Sequence, residues 1–455
     1  MKKILLSLFL MLPAQSWAAL PTCEHWYKGP QGEAFQAKID KLTQSVRIPG
    51  NEIEIIPEAR QSYHLRERLI KQAQDHVHLY TLLIEDNETG VATATLLGEK
   101  ASLEGVEVNL IYSPLVQAAT SSNRIITALK AMGVRTHPYF AKKTIAPLSQ
   151  LVIGPHKKSL IVDSQQYGLE AVIGGRNIGD SYFADLDDAP YADFTNLWRD
   201  TDIFLRGPAI IALVDDFIQD FNTHSDTGLT ITCANGSKVG CRYYPALSTS
   251  GEHEPITMRV LENEPNAFFT RGVYEANIFY EEMIDHAETS LVIETPYFIP
   301  QNSLLKRLHA ALDRGVAVRI LTNGEEANDL GGPLFYASIY YWTDLIEAGA
   351  EIYQWDVKKS RTSIARTMHS KVAIADGCVF VPGSWNFDGR SYAWENEYLF
   401  PMNSPTLAQT ALDMVETDLG ITGVTRVDER WMRRNFSFFD RILAAFYAQT
   451  LSNLL

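Results

Sequence analysis

The chain carries one eight-residue pattern twice, His-x-Lys-x-x-x-x-Asp, once in each half. The first copy is His156, Lys158 and Asp163, and the second is His369, Lys371 and Asp376. Each is followed by a glycine-rich stretch ending in asparagine, Gly174-Gly175-Arg176-Asn177 and Gly383-Ser384-Trp385-Asn386. A lone His-x-Lys is usually a solvated strand edge. Two matched copies with matched followers restrict the chain to a duplicated unit whose halves build one composite site.

The elements around the motifs repeat as well. In the first half the apolar periodicity predicts a helix over 65–74, a strand over 77–84, a helix over 92–103 closed by Gly105, and a strand over 106–111. A helix over 123–131 closed by Gly133 and a strand over 134–140 follow. The second half runs the same way: helix 276–286, strand 291–299, helix 304–313 closed by Gly315, strand 316–322, helix 339–347 closed by Gly349, and strand 350–355. Leu79 precedes His156 by 77 residues and Leu291 precedes His369 by 78, so the register holds to within a loop. Strands alternating with helices predict α/β layers, repeated.

At 455 residues the chain is long enough for two full cores. The polar stretch 247–258 reads as the linker between a first domain, 19–246, and a second, 259–455, which ends in a C-terminal helix. The net charge of −15 argues against a partner bound through its nucleic-acid backbone, because such binding uses Lys and Arg to neutralise phosphates. It leaves room for a local basic pocket around one phosphate.

Residues 1–18 read as a cleavable export signal: Lys2 and Lys3, the apolar run 4–13, and Ser16-Trp17-Ala18 before the cut. The expected location is therefore periplasmic or secreted. The four cysteines fit an oxidising compartment. Cys233 and Cys241 flank a short loop containing Asn235-Gly236 and are expected to bond. Cys378 is expected as a buried thiol, and Cys23 has no evident partner. No Cys/His spacing suggests zinc.

The residues after each motif, Ser159 to Val162 and Val372 to Ala375, are strand-like. Positions i and i+2 of a strand share a face, so each half is expected to present an imidazole beside an ammonium. The Asp lies too far along to reach its own His. An imidazole with a fixed tautomer serves as nucleophile or proton carrier near neutral pH. Lysine and the amides of Asn177 and Asn386 offer charge and donors to phosphoryl oxygens. Two such sets around one phosphodiester supply nucleophile, acid and cationic cradle, with no metal or other cofactor required.

These motifs resemble the phospholipase D superfamily, and in particular its bacterial cardiolipin-synthase-like branch. The resemblance rests on both His-x-Lys motifs, on Gly383 to Ser391 with Asn396-Glu397, on Gly174 to Asp180 with Trp198 to Asp202, and on Thr295 to Pro300. It implies two phospholipase D-like α/β/α sandwich domains with the active site at their interface. It also implies a covalent phosphohistidine, with His156 as nucleophile and His369 as general acid and base. Lys158, Lys371, Asn177, Ser384 and Asn386 would surround the phosphate. Asp163 and Asp376, counted with the catalytic motif, would be structural or orienting. Glu397 would orient the opposite histidine, and either Asp200 or Asp202 would be its first-half counterpart. The implied partner is a phospholipid such as phosphatidylglycerol, reached through peripheral membrane contact by a monomer. The chain departs from the branch in its cleavable leader and in Tyr112-Ser113-Pro114, where many members carry an acid. A nuclease of the same superfamily is the alternative; against it stand the acidic charge and the presence of both motifs in one chain.

Two other segments are ambiguous. The segment 429–455 mixes arginines with Trp431, Phe436, Phe438, Phe439 and Phe446. It suits either an anionic lipid surface or, the commoner use, packing on the domain with its arginines in solvent. The aromatic run Phe335 to Trp342 suits an acyl-chain entrance or, more commonly, a core. The remaining histidines show no paired spacing.

Overall fold

The computed structural model describes residues 22–139, 154–183, 198–224, 228–231, 240–265, 272–358 and 366–451. Fifteen strands form one continuous sheet, and its order displays the duplication. Outward from the middle, the first half runs Ile48–Ile56, Asp202–Arg206, Gly168–Gly174, Ser159–Ser164, His76–Tyr80, Glu107–Tyr112 and Arg135–Pro138. In the other direction the second half runs Ile256–Met258, Met402–Asn403, Val379–Pro382, Val372–Ala375, Ser290–Glu294, Ala317–Asn323 and Glu351–Trp355. Val424–Val427 is added at that edge. The halves join where Ile48 and Asn51 pair with Met258 and Ile256.

The central strands are buried at nearly every position, as their runs of Leu, Ile and Val require. Helices Ile210–His224 and Pro405–Leu419 contribute to a core shared by both halves, while each half also has a core of its own. Local signals set the helix ends. Ser404 caps the second of these helices by accepting from Leu407 N at 3.2 Å, with Pro405 in its first turn. Gly133, Gly315 and Gly349 follow their helices with positive φ, the left-handed stop a Cβ disfavours.

Three sequence expectations change. Residues 22–43 do not belong to the first domain. Helices Glu24–Tyr27 and Gly29–Thr43 bury Trp26, Phe35 and Ile39 in the core of the second half. The linker is shorter than expected, since Ile256–Met258 is a strand of the sheet. Cys378 is not a thiol: it is bonded to Cys23, 355 residues away in sequence, and ties the N-terminal arm down. Spacing gave no hint of this pair because only the folded sheet brings the arm back across the chain. Cys241 is also disulfide-bonded; Cys233 lies outside the described residues. Among the described residues, no helix is long and apolar enough to cross a membrane.

Candidate active site

A second, four-stranded sheet explains how the two motifs meet. Its strand Glu395–Leu399, from the second half, runs parallel to Gly154–Pro155, just ahead of the first motif. His156 N donates to Asn396 O at 2.8 Å. The mirror contact is a parallel bridge between Arg199 and Met368, with His369 N donating to Arg199 O at 2.6 Å. Each histidine is thus tethered, through its backbone, to a segment of the other half.

Those same segments carry the carboxylates. His156 Nδ1 lies 2.9 Å from Glu397 Oε1, and His369 Nδ1 lies 2.6 Å from Asp200 Oδ2. Asp200 is therefore the counterpart of Glu397. Asp202 instead pairs with Arg66 and Arg176 and accepts from Ser62. Both imidazoles and both carboxylates are buried. A carboxylate at Nδ1 fixes tautomer and ring orientation and leaves Nε2 to react.

His156 and Lys158 do not sit on a strand, as the i, i+2 argument had them. They occupy the passage between Gly154–Pro155 and Ser159–Ser164, and His369 and Lys371 likewise precede Val372–Ala375. Each lysine folds back on its own histidine, Lys158 Nζ donating to His156 O at 2.6 Å and Lys371 Nζ to His369 O at 2.5 Å. One N–H of each side-chain nitrogen is used in this way.

Burial dominates the electrostatics. It pulls His156 well below the ordinary imidazole range, with Lys158 adding to the effect, and holds His369 at about 3, with Lys371 adding. Burial likewise brings Lys158 down to about 7 and lowers Lys371. The two carboxylates diverge. Burial raises Glu397 to about 7, against Lys158 and two hydroxyls; it also raises Asp200, but His369, Lys371 and Arg176 outweigh it and hold Asp200 at about 2.

The other expected residues separate into groups. Asn386 keeps an unpartnered Oδ1 among the described residues, buried beside the second motif. Asn177 is more engaged: its Oδ1 accepts from Leu82 N at 3.1 Å and its Nδ2 donates to Tyr182 Oη at 2.7 Å. Ser384 is already engaged: its hydroxyl donates to Glu397 and accepts from Tyr398 N at 2.9 Å. Asp163 and Asp376 turn to the backbone instead. Asp163 accepts from the amides of Gln74, Asp75 and His76 at 2.9–3.1 Å. Asp376 accepts from those of Glu288, Thr289 and Ser290 at 2.7–3.0 Å, and also binds His25 and Trp26 of the N-terminal arm. Both cap the strand next to their own, the first structural reason for the eight-residue spacing.

His156, Glu395 and Glu397 bring ligand atoms within 4.8 Å of one another, a set that could hold a cation. The two carboxylates already have donors: Glu397 accepts from His156, Ser384 and Ser391, and Glu395 from Arg390 at 2.9 Å.

A family profile described as "Cardiolipin synthase, PLD-like domain" matches residues 280–419. Cardiolipin synthase 2 of Bacillus anthracis is 31% identical over 323 residues, 71% of this chain and 56% of that protein. The major cardiolipin synthase ClsA of Bacillus subtilis is 27% identical over 370 residues, 81% and 69%. The chain belongs to the phospholipase D superfamily. Its relatives place it in the cardiolipin-synthase-like branch, although it spans only about 56–69% of the length of these two. Among solved structures, a phosphatidylserine synthase of Haemophilus influenzae matches with a TM-score of 0.67 at 14% identity, over 92% of this chain and all of that one. A polyphosphate kinase of Porphyromonas gingivalis matches at 0.51 and 12% identity, over 92% and 54%. These two show the fold alone.

Within this superfamily fold, several neighbours of the site carried no sequence signal strong enough to single them out. Trp198 and Tyr182 pack on His369, with ring centroids 4.6 and 5.7 Å away. Ser391 Oγ binds Glu397 and Asn386 N. Lys157, between His156 and Lys158, is fully buried against Asp216, Asp220 and Glu262. A lysine amid two catalytic residues reads as solvated until the helix and strand behind it are known.

Proposed function

We propose that the protein is a phospholipid phosphodiesterase and phosphatidyltransferase that works through a phosphohistidine. The observation that carries this reading is the crossed pairing of two buried imidazoles, each held at Nδ1 by a carboxylate of the other half. Cardiolipin synthases among the relatives favour a glycerophospholipid such as phosphatidylglycerol over nucleic acid, as does the acidic chain.

The anionic diester brings the countercharge the empty pocket lacks and raises both imidazoles. His369, beside the ionised Asp200, takes up a proton. His156, beside Glu397 held at about 7, stays neutral and attacks phosphorus through Nε2. A nitrogen–phosphorus bond forms, the bond from phosphorus to the leaving alcohol breaks, and His369 gives that alcohol its proton. His369 then takes a proton from water or an acceptor alcohol, whose oxygen displaces His156 from phosphorus. Lys158, Lys371 and Asn386 steady the non-bridging oxygens where charge grows. Water yields phosphatidic acid, and an alcohol yields a new phosphatidyl ester.

We also place the protein, as a monomer, outside the cytoplasm. The leader-like residues 1–18 and the bonded state of Cys23, Cys378 and Cys241 support an exported protein. Finding Cys23 as a free thiol in intact cells would count against export.

The chemistry is tested by mass spectrometry of products from phosphatidylglycerol vesicles and from DNA, with and without added glycerol. Phosphatidic acid or a glycerol-dependent ester is expected. Cleavage of DNA alone would overturn the lipid reading. Phosphate from a labelled substrate should be trapped on His156; label on His369 would exchange the two roles.

A further inference from the structure

The helix Phe438–Leu451 has two unlike faces. Ala444 and Ala448 are buried against helix Gly332–Glu347, and Tyr447 lies 6.4 Å from Tyr336, ring to ring. On the other side Phe438 is 74% exposed, Phe439 78%, Ile442 52%, Leu443 38% and Phe446 58%. At 100° per residue these five fall within one face about 140° wide, opposite the two alanines. Scattered exposed apolar residues are ordinary, but five in one stripe, three of them phenylalanine, mark an interaction surface. The sequence offered packing or a lipid surface as alternatives for this segment; the structure shows packing on one face and leaves the other uncovered.

The charge around the stripe identifies what covers it. The chain as a whole is strongly acidic. The segment 429–451 nevertheless holds Arg430, Arg433, Arg434 and Arg441 against only Glu429 and Asp440, and all four arginines are exposed. Arg433 pairs along its own helix with Glu429 at 2.8 Å, and Arg430 and Arg434 act electrostatically on the capping Asp428. A local cationic and apolar element on an acidic protein fits an anionic surface with an apolar interior. Its position also fits. Phe436, which leads into the helix, packs on Phe335 and Tyr336 in the first turn of Gly332–Glu347, with ring centroids 6.0 and 6.3 Å away. That helix begins three residues after Asp329, whose carboxylate and Lys371 act on each other electrostatically across the site. Leu330, between them, is 53% exposed.

We propose that this stripe and its arginines form a docking surface for an anionic phospholipid bilayer, holding the catalytic cleft against its substrate. The proposal rests on the phospholipid reading above, and the test separates the two. Co-sedimentation is measured with vesicles of phosphatidylcholine, alone or with about 30% phosphatidylglycerol. The native protein is expected to bind the anionic vesicles, and binding should weaken with salt. Replacing Phe438, Phe439 and Phe446 together by Ser should weaken binding at least ~10-fold. The all-surface variant Arg430→Gln/Arg434→Gln/Arg441→Gln should lower it toward the phosphatidylcholine level, and it keeps the test open if the first variant fails to fold. Both variants should still cleave a monomeric short-chain phosphatidylglycerol. Unchanged vesicle binding in the folded variants would overturn docking. So would a native dimer that the Phe substitutions dissociate while vesicle binding persists, since a second copy would then be the occupant. Vesicle binding without cleavage of either lipid would leave docking standing and overturn the phospholipid reading.

Discussion

Behind each motif histidine the two halves hold the imidazole with different side chains. His156 is held by Glu397, a longer carboxylate steadied by Ser384 and Ser391 and raised by burial to about 7. His369 is held by Asp200, a shorter one facing Gly175, and kept at about 2. A Cβ on Gly175 would come within 2.3 Å of Asp200 Oδ1, so the glycine makes room for the acid where Ser384 supports the other. The supports behind also differ. Lys157 meets Asp216, Asp220 and Glu262, with Tyr80 donating to Asp220 at 3.1 Å. On the other side Arg199 meets Asp418 at 2.7 Å, and Glu294 occupies the register position of Tyr80. Duplication preserved the backbone crossing and let the charges diverge, the asymmetry on which the proposed division of roles between the two imidazoles rests.

The strongest way to break this comparison is to remove each histidine. His156→Ala and His369→Ala should each lower turnover by about 10⁴ or more. With an activated leaving group that needs no proton, His369→Ala should recover substantially and accumulate the phosphohistidine, while His156→Ala should not. Equal recovery would dissolve the division of roles.

The carboxylates should come next. Asp200→Asn is expected to cost ~10²–10⁴ in kcat/KM, by a factor nearly constant from pH 5 to 9, because Asp200 is ionised throughout. Glu397→Gln should cost little at pH 5, where the native residue is protonated, and progressively more as pH rises through about 7. A flat ratio for Glu397→Gln would show that burial does not hold its proton.

A smaller effect concerns the arm that only the second half carries. Cys23→Ser, or reduction of the native protein, should lower stability by about 2–5 kcal/mol, read as a fall in thermal midpoint. No fall would mean that the packing of Trp26 and Phe35 suffices without the bond. Smaller still is the pH dependence from Glu294, raised by burial and by Asp418 to about 8. A carboxylate whose folded value lies above its unfolded one contributes stability below pH ~4.5 that is lost as pH rises through 8. Glu294→Gln should therefore gain in thermal midpoint relative to native protein between pH 5 and 9. Tyr80→Phe, at the equivalent position, should show no such trend over that range.

The helix over 123–131, the strand over 372–375 and the glycine stops were legible because periodicity and capping are local. The helix Gly332–Glu347 was read seven residues short, because its first turns lie in an aromatic run with no clear period. The choice between Asp200 and Asp202 was not legible. The two lie two residues apart, where strand alternation puts both on one face, and which one meets His369 depends on where Arg199 crosses Met368. The partner of Ser384 was not legible for a related reason: a serine in a glycine-rich stretch looks available until the carboxylate of Glu397 arrives from 13 residues away.

By itself, the sequence determined the duplication and the two matched His-x-Lys motifs. Side-chain chemistry and strand-helix periodicity are properties of short segments. The tertiary structure alone decided that Asp200 and not Asp202 serves His369, that the motif aspartates cap strands, that the N-terminal arm packs with the second half, and which phenylalanines reach solvent. Those depend on contacts between residues tens to hundreds of positions apart, and on burial, which moves a carboxyl to about 7 in one half and to about 2 in the other.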